Sequence, residues 1–283
     1  MAYLRTLLIL GRASNLPTVW SNCLAGWLLG GGGAPEIFAL LILGSTLLYL
    51  AGMFLNDALD VQFDRQYRPQ RPIPSGAISE RAVWQWGLGF LVLGLFLLSS
   101  LGRLTTILTI LLAASLVIYD LVHKGFSLSP LLMAACRLFL FLAAGSCSFD
   151  GVTGLTVWSA LALASYIVGL SYLARKESRP GALQYWPCLF LAAPIVLALI
   201  VNRGAYQVRG VLVSAILGVW ILKSLQHVYW LPQRNVGRSV SGLLAGIVLV
   251  DALAIAGGSP WTALMFLGLF GLAVIFQRVI PAT

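Results

Sequence analysis

The chain has 283 residues, of which 59% are hydrophobic and 10% are charged, and its formal net charge is +9. Soluble proteins contain about a quarter charged residues, so this composition excludes a soluble enzyme and indicates a multi-pass membrane protein. The basic residues lie in short segments between apolar runs, a distribution that favours membrane topology and argues against nucleic-acid binding.

Ten apolar runs follow one another along the chain, and each approaches the roughly 20 residues that a spanning helix needs. They predict an all-α, polytopic bundle of about nine to ten transmembrane helices that forms a single domain over residues 1–283. Glycine and other small residues in the spans would let the helices pack closely around a central cavity. The predicted spans are residues 15–30, 36–57, 82–101, 104–120, 130–148, 154–173, 185–202, 207–224, 239–257 and 260–280.

The lysines and arginines between the spans predict the orientation of the chain. If the N-terminus is cytoplasmic, fourteen of the 18 lie on the cytoplasmic side, whereas Arg103, Arg203 and Arg209 lie on the other. Cytoplasmic loops carry an excess of these residues, so we expect a cytoplasmic N-terminus in a bacterial inner (plasma) membrane. The tenth span would return the C-terminus to the cytoplasm.

A polar stretch at the end of the second predicted span, residues 56–76, carries the most informative side chains. Asp57, Asp60 and Asp64 are spaced i, i+3 and i+7, and Asn56 lies four residues before Asp60. On a continuous helix these side chains gather on one face, where three carboxylates repel one another unless cations neutralise them. Oxygen ligands at this spacing suit Mg²⁺, so we expect these four residues to form a catalytic, metal-binding cluster.

Two arginines follow at once in the segment RPQRPIP, which we predict to be stiff and extended because of its prolines. The guanidinium groups of Arg68 and Arg71 can bind phosphate oxygens in a bidentate manner. Carboxylates, Mg²⁺ and arginines together form a receptor for a diphosphate, here with its mouth on the cytoplasmic side. The simpler alternative is a solvated charged loop that only sets the topology.

The string N-D-x-x-D-x-x-x-D followed by R-P-x-R-P-I-P-S-G resembles the first aspartate-rich motif of the UbiA superfamily of intramembrane prenyltransferases. The number and order of the spans also agree with that family, from about Arg12 to about Gly257. The resemblance implies a nine-helix bundle that binds Mg²⁺ and a prenyl diphosphate at this motif. A tenth span is therefore a departure from the family pattern.

The fourth predicted span ends in YDLVHKG, which resembles the tyrosine and lysine pattern of the same family. The resemblance implies that Tyr119 and Lys124 approach the diphosphate. The alternative is a lysine that snorkels and anchors the end of the helix. His123 lies beside Lys124, and we interpret it as an ordinary interfacial histidine.

Two charged residues lie deep within predicted spans. Arg137 is about seven residues, or roughly 10 Å, inside the fifth span, so it must face the cavity or a partner. It is a candidate for diphosphate binding, and the alternative is a structural pair with Asp120 or another carboxylate. Asp251 lies about a dozen residues into the ninth span, and we interpret it as structural because it is far from the cytoplasmic site.

The sixth predicted span ends in SYLARKE, where the resemblance implies a second aspartate-rich motif that this chain lacks. Glu177 is the carboxylate available there, as a possible metal ligand. Arg175 and Lys176 bring positive charge into the same turn and could neutralise the diphosphate directly, in place of a second metal cluster. The alternative is that both residues only anchor the helix.

These observations predict Mg²⁺-dependent transfer of an isoprenoid chain from an allylic prenyl diphosphate to a hydrophobic acceptor, in a bundle surrounded by membrane lipid. The closest alternative is a terpene cyclase that ionises the same prenyl diphosphate without an external acceptor, and the altered second motif leaves this open. A third alternative is a non-catalytic transporter or lipid-binding protein. The intact acidic motif and the lack of an evident internal repeat argue against it.

Overall fold

The computed structural model describes residues 2–123, 125–178 and 184–282. In these ranges the regular secondary structure is helical throughout, with thirteen α-helices and two short 3₁₀ turns, Ala13–Asn15 and Gly204–Tyr206. The α-helices are α1 (Ala2–Leu10), α2 (Leu16–Leu29), α3 (Pro35–Leu59), α4 (Val61–Tyr67), α5 (Glu80–Ser99), α6 (Arg103–Val122), α7 (Ser129–Ser146), α8 (Gly154–Ser178), α9 (Trp186–Leu191), α10 (Ala193–Val201), α11 (Gln207–Tyr229), α12 (Val236–Ala254) and α13 (Pro260–Val279).

All ten apolar runs form helices, which confirms the prediction of an all-α, multi-span bundle. Eight helices of the described ranges are long and apolar enough to cross a membrane, namely α3, α5 to α8 and α11 to α13. The first predicted span, α2, is shorter, with 14 residues. The seventh is divided into α9 and α10 at Ala192, because Pro194 has no N–H to continue the helix and its ring crowds the preceding turn. The protein is a multi-pass integral membrane protein.

Close backbone approaches hold the spans together. Helix α2 lies among α3, α7, α12 and α13, and it meets α7 at Gly26, where a Cβ atom would clash with the Phe141 carbonyl oxygen. Helices α3 and α5 meet at Gly44, where a Cβ atom would lie 2.8 Å from the Leu98 side chain. Apolar side chains gain little by leaving lipid for another apolar surface, so such small-residue contacts supply much of the packing.

The alternating spans bring the ends of α3, α6, α8, α11 and α13 to one end of the bundle, which we call the aspartate end because residues 56–64 lie there. The C-terminal segment is tied to the same end. The Ser14 hydroxyl donates to the Pro281 carbonyl at 3.3 Å, and the Asn15 amide donates to the Ala282 carbonyl at 2.9 Å. A buried apolar cluster supports the loop between α4 and α5. It consists of Leu10, Phe54, Ala58, Val61, Ile73, Ile78 and Val83.

Candidate active site

The helix that carries the aspartates is interrupted at Asp60. Helix α3 ends one residue before it and α4 begins one residue after it. The Asp60 N–H nevertheless donates to the Asn56 carbonyl and the Asp64 N–H donates to the Asp60 carbonyl, each at 2.9 Å. Because the helical hydrogen-bond pattern passes through the interruption, Asp57 and Asp64 remain on the same side of the chain.

Arg71 joins two carboxylates of the cluster. Its Nη1 donates to Asp57 Oδ1 at 2.9 Å and to Asp64 Oδ2 at 3.2 Å. The side chains of Arg71, Asp57 and Asp64 are 19%, 8% and 3% exposed, so solvent screens the contacts only weakly. Burial raises the pKa of Asp64 above its ordinary value, and the charge of Arg71 opposes that shift. Asp64 Oδ1 is buried without a hydrogen-bond partner in the described structure, so this carboxylate can accept one more ligand.

Arg12, one of the fourteen basic residues that the sequence places on the cytoplasmic side, is a second cation at the cluster. Its Nη2 lies 3.3 Å from Asp57 Oδ1 and 3.4 Å from Asn56 Oδ1. Tyr49 donates a hydrogen bond of 3.2 Å to the Arg12 carbonyl oxygen. Arg12 has a φ of 41°, a left-handed conformation that costs a non-glycine residue about 1–3 kcal/mol, and these contacts hold it there. The polar GRASN sequence between two apolar helices was the available signal, but it does not indicate a partner on α3.

Asp60 points toward the end of α6 instead. His123 Nε2 lies 3.4 Å from Asp60 Oδ2, and this interaction raises the pKa of His123 above its ordinary value. The rings of Tyr119 and His123 stack with their centroids 5.2 Å apart. Asp120 Oδ1 accepts a hydrogen bond of 3.0 Å from Asn56 Nδ2. The end of α6 is thus part of the cluster through Asp120 and His123, neither of which was a predicted site residue.

The donor chemistry of the cluster fits Mg²⁺, although the carboxylates do not converge on one point. Among the described residues, no group of three or more His, Cys, Asp or Glu side chains is arranged to hold a metal ion. The reason is that Arg71 holds Asp57 and Asp64, whereas Asp60 contacts His123. Carboxylate and amide oxygens are the ligands that Mg²⁺ prefers, and Oδ1 of Asp64 has no hydrogen-bond partner among the described residues. A bound Mg²⁺ would therefore compete with Arg71 for the carboxylates of Asp57 and Asp64.

The arginine segment is folded into turns, so the prediction of an extended conformation is wrong. The Arg71 N–H donates to the Arg68 carbonyl at 3.0 Å, and the Ser75 N–H donates to the Arg71 carbonyl at 2.9 Å. The φ angle of proline suits turns as well as extended chains, and burial of Ile73 in the apolar cluster decides between them. The turns return Arg71 to α3, and they bring Arg68 near enough for its charge to lower the pKa of Asp64.

Arg137 lies in a separate buried network between α2, α7 and α12. Its Nη1 donates to the Thr18 carbonyl at 3.1 Å and to Asn22 Oδ1 at 2.7 Å, and its Nη2 donates to Thr18 Oγ1 at 3.0 Å. The Asn22 amide and the Ser21 hydroxyl both donate to Asp251 Oδ2. The arginine and the buried carboxylate are thus bridged by an amide. This geometry favours the structural interpretation of Arg137 and Asp251 and places Arg137 in a network distinct from the aspartate cluster.

The end of α8 carries cations where the resemblance implied a second acidic motif. Arg175 Nη1 donates to the Ser127 carbonyl, in the connection between α6 and α7. Arg175 and Lys176 line a cavity of about 290 Å³ together with Tyr172 and Trp186. Two predicted site residues lie outside the described structure, namely Lys124 and the side chain of Glu177.

Comparison with known proteins assigns the chain to a family. The sequence profile of the UbiA prenyltransferase family matches residues 16–281. Digeranylgeranylglyceryl phosphate synthase from Metallosphaera sedula is 33% identical over 38% of this chain and 38% of its own length. The synthase of the same name from Methanothrix thermoacetophila is 27% identical over 64% and 68%, respectively. A 4-hydroxybenzoate octaprenyltransferase from Pectobacterium atrosepticum is 31% identical over 39% of each chain. Two of these three alignments thus span well under half of the relative.

Solved structures share the fold over nearly the whole chain. A structure of digeranylgeranylglyceryl phosphate synthase matches with a TM-score of 0.63 and 18% identity, over 97% of this chain and 100% of that chain. A UbiA homologue from Archaeoglobus fulgidus bound to GPP and Mg²⁺ matches with a TM-score of 0.54 and 15% identity, over 98% and 97%. The family profile begins at the first residue of α2 and extends beyond the end of α13. The chain therefore belongs to the UbiA prenyltransferase family.

Proposed function

We propose that this protein transfers an isoprenoid chain from an allylic prenyl diphosphate to a hydrophobic acceptor, with Mg²⁺ bound at the aspartate cluster. The observation that carries the proposal is the convergence of Arg12 and Arg71, from two different segments, on Asp57. Guanidinium groups bind phosphate oxygens, and carboxylates bind divalent cations. Their presence side by side at one membrane face therefore suits a diphosphate that carries a divalent cation. A loop that only sets the topology needs no such convergence.

Asp57, Asp64 and Asn56 would hold the metal, with Asp60 beside them. When bound, Mg²⁺ would draw charge from the diphosphate as the C1–O bond breaks. Arg71 holds the two carboxylates close together against their mutual repulsion. If Arg71 releases one of these carboxylates, the freed N–H group can donate to a phosphate oxygen. There its positive charge neutralises the negative charge of the diphosphate leaving group.

The bundle around the site would exclude water from the allylic cation. We propose that the isoprenoid chain lies among the apolar spans, with its diphosphate at the cytoplasmic membrane face. The Archaeoglobus fulgidus homologue, which was solved with GPP and Mg²⁺, supports this donor and this metal. The names of the relatives indicate two acceptor classes, a glyceryl phosphate derivative and 4-hydroxybenzoate. Both acceptors are therefore included in the experiment that tests the proposal.

Product analysis tests the proposal. Purified protein in lipid nanodiscs is incubated with prenyl diphosphates of increasing chain length, with and without Mg²⁺, and with 4-hydroxybenzoate, a prenylated glyceryl phosphate or a membrane lipid extract. We expect diphosphate release and a prenylated acceptor when both metal and acceptor are present. If a hydrocarbon or terpene alcohol forms from the diphosphate alone, the protein is a terpene cyclase and the proposal of prenyl transfer is wrong. Failure to consume any prenyl diphosphate would reject both.

Replacing Arg71 with lysine should raise the apparent KM for the prenyl diphosphate about tenfold, because an ammonium group cannot reproduce the guanidinium fork. Both carboxylate contacts of Arg71 use Nη1, and a lysine that took them over would have no second nitrogen to offer to the phosphate. Steady-state kinetics measures the change. Arg81→Lys, at an exposed arginine of the same end, is the control and should leave KM unaltered. If KM is unchanged in Arg71→Lys as well as in Arg81→Lys, Arg71 does not bind the diphosphate and serves only the topology.

Replacing both Arg175 and Lys176 with glutamine should lower turnover roughly tenfold even at saturating Mg²⁺, if the two cations act on the diphosphate directly. The end of α8 offers Glu177 as its carboxylate, so added metal has little to bind there. The measurement is a Mg²⁺ titration of turnover.

The matched control for this pair removes two charges at the same end of the bundle, with Arg234→Gln and Arg238→Gln together. Full activity in the Arg175/Lys176 variant would reject direct neutralisation. The variant Glu177→Gln should do less damage, and a large new Mg²⁺ requirement confined to it would indicate a second metal ion instead.

A further inference from the structure

A large cavity lies at the end of the bundle opposite to the aspartates. Its volume is about 640 Å³, within the roughly 300–1,000 Å³ that is typical of small-molecule sites. It lies where the ends of α2, α10 and α12 meet the beginnings of α8 and α13. Helix α3 connects the two ends and has 25 residues, or roughly 37 Å at 1.5 Å per residue. The cavity is therefore a site of its own.

The cavity exists because of a broken helix and small side chains. The seventh span is interrupted just before Pro194, and Ala162, Ala198 and Gly257 face the space beside it. The floor is apolar and closed, since Ala198 is 5% and Leu253 is 2% exposed. The rim is open. The cavity thus has the shape required by a ligand with an apolar body and an exposed polar head.

A buried serine of the cavity wall lacks a hydrogen-bond partner among the described residues. Ser159 is 4% exposed, and its Oγ makes no hydrogen bond in the described structure. A serine hydroxyl in a helix usually bonds to a carbonyl of the preceding turn, and a buried unpaired hydroxyl is costly. Ser159 lies five residues, or roughly 7 Å, inside α8. Its Oγ is fully buried, so an oxygen acceptor on a bound molecule at that depth would satisfy it after the side chain rotates toward the cavity.

The rim is positively charged although this end of the bundle has few basic residues. The sequence places three arginines at this end, and two of them are at the cavity. Arg203 lines it, and Arg209 donates a hydrogen bond of 2.9 Å to the carbonyl of Gly258, another lining residue. The hydrogen bond that Arg203 makes in the described structure, 3.2 Å to the Ile200 carbonyl, uses its Nε. Among the described lining residues there is no aspartate or glutamate.

We propose that this cavity binds an acidic glycerophospholipid from the membrane leaflet at this end. The phosphate contacts Arg203 at the rim, an acyl chain fills the apolar floor, and an ester carbonyl accepts the hydrogen bond of Ser159. The combination favours a phospholipid over other ligands. A free anion would leave the floor unfilled, and a neutral hydrocarbon would use neither the arginine nor the serine.

Native mass spectrometry of the detergent-solubilised full chain tests the proposal, with phosphatidylglycerol, phosphatidylcholine or inorganic phosphate added. We expect a one-to-one complex with phosphatidylglycerol that survives mild activation. Arg203→Gln should reduce its retention about tenfold, the loss expected for one charge-assisted hydrogen bond. Ala162→Phe should fill the cavity and abolish retention without changing any charge. Arg103→Gln is the matched control, because Arg103 lies at the same end, at the start of α6, and does not line the cavity.

The proposal is overturned by unchanged retention in Arg203→Gln, or by equal retention of phosphatidylcholine. Protection by phosphate alone would indicate a simple anion site, and displacement by a prenyl diphosphate would assign the cavity to the prenyl substrate. Size-exclusion profiles check the folding of each variant, and Arg203→Gln decides the question if Ala162→Phe does not fold. The readout needs no turnover, so its outcome is independent of prenyl transfer.

Discussion

The Asp64→Asn protein is expected to insert and fold like the wild type but to turn over prenyl diphosphate at least about 100-fold more slowly. The substitution keeps the shape of the side chain and removes its charge. Asp64 Oδ2 already binds Arg71, and its Oδ1 is buried without a hydrogen-bond partner in the part of the chain that the structure describes. One change thus weakens both the arginine contact and the place that we propose for the metal. Turnover at saturating substrate across a Mg²⁺ titration measures the effect.

A control at the opposite end separates this effect from a general loss of negative charge. Asp150 is an exposed carboxylate in the connection between α7 and α8, and Asp150→Asn should leave turnover unchanged. High Mg²⁺ should restore the Asp64→Asn activity only partly. If Asp64→Asn has near wild-type activity at limiting Mg²⁺, Asp64 is not a ligand of the proposed metal site.

Asp251→Leu is expected to lower the melting temperature by roughly 5–15 °C, because each buried donor left without an acceptor costs about 1–3 kcal/mol. The fully buried carboxylate accepts hydrogen bonds from the Ser21 hydroxyl and the Asn22 amide. The same Asn22 amide group orients the guanidinium of Arg137. Leucine would leave the Asn22 amide without this acceptor and the arginine without a nearby negative charge, whereas the Ser21 hydroxyl keeps the Thr18 carbonyl as an acceptor at 3.1 Å. Thermal unfolding in detergent, followed by tryptophan fluorescence, measures the change.

Two variants sharpen this test. Asp251→Asn keeps an acceptor oxygen and should lower the melting temperature by less than half as much. Ser214→Ala removes a buried hydroxyl that has no hydrogen-bond partner in the described structure, so it should not lower the melting temperature. If Asp251→Leu melts at the wild-type temperature, the buried network contributes no stability.

Local features of the sequence were sufficient for the helical class, for the positions of eight spanning helices in the described ranges and for the place of the aspartates at one end of the bundle. Apolar runs of about 20 residues must form helices in lipid, because unpaired backbone groups are too costly there. The spacing predicted that Asn56, Asp57, Asp60 and Asp64 share one side of the chain. Asp57 and Asp64 do so and bind a single arginine, whereas Asp60 contacts His123. Asp251 was interpreted as structural because it is far from the cytoplasmic site, and its hydrogen bonds with Ser21 and Asn22 favour that interpretation.

Which residues meet across the bundle was decided only by the tertiary structure. Arg12 contacts Asp57 from 45 positions away. Arg137 donates to Thr18 and Asn22 of α2, whereas the sequence left both diphosphate binding and a structural role open for it. Burial of Ile73 folds the arginine segment into turns, and packing around Pro194 leaves the cavity at the opposite end. The physical reason is that hydropathy and spacing describe one helix at a time. The order and rotation of helices in lipid are set by a few polar contacts and close small-residue crossings, which become visible only when the spans are packed together.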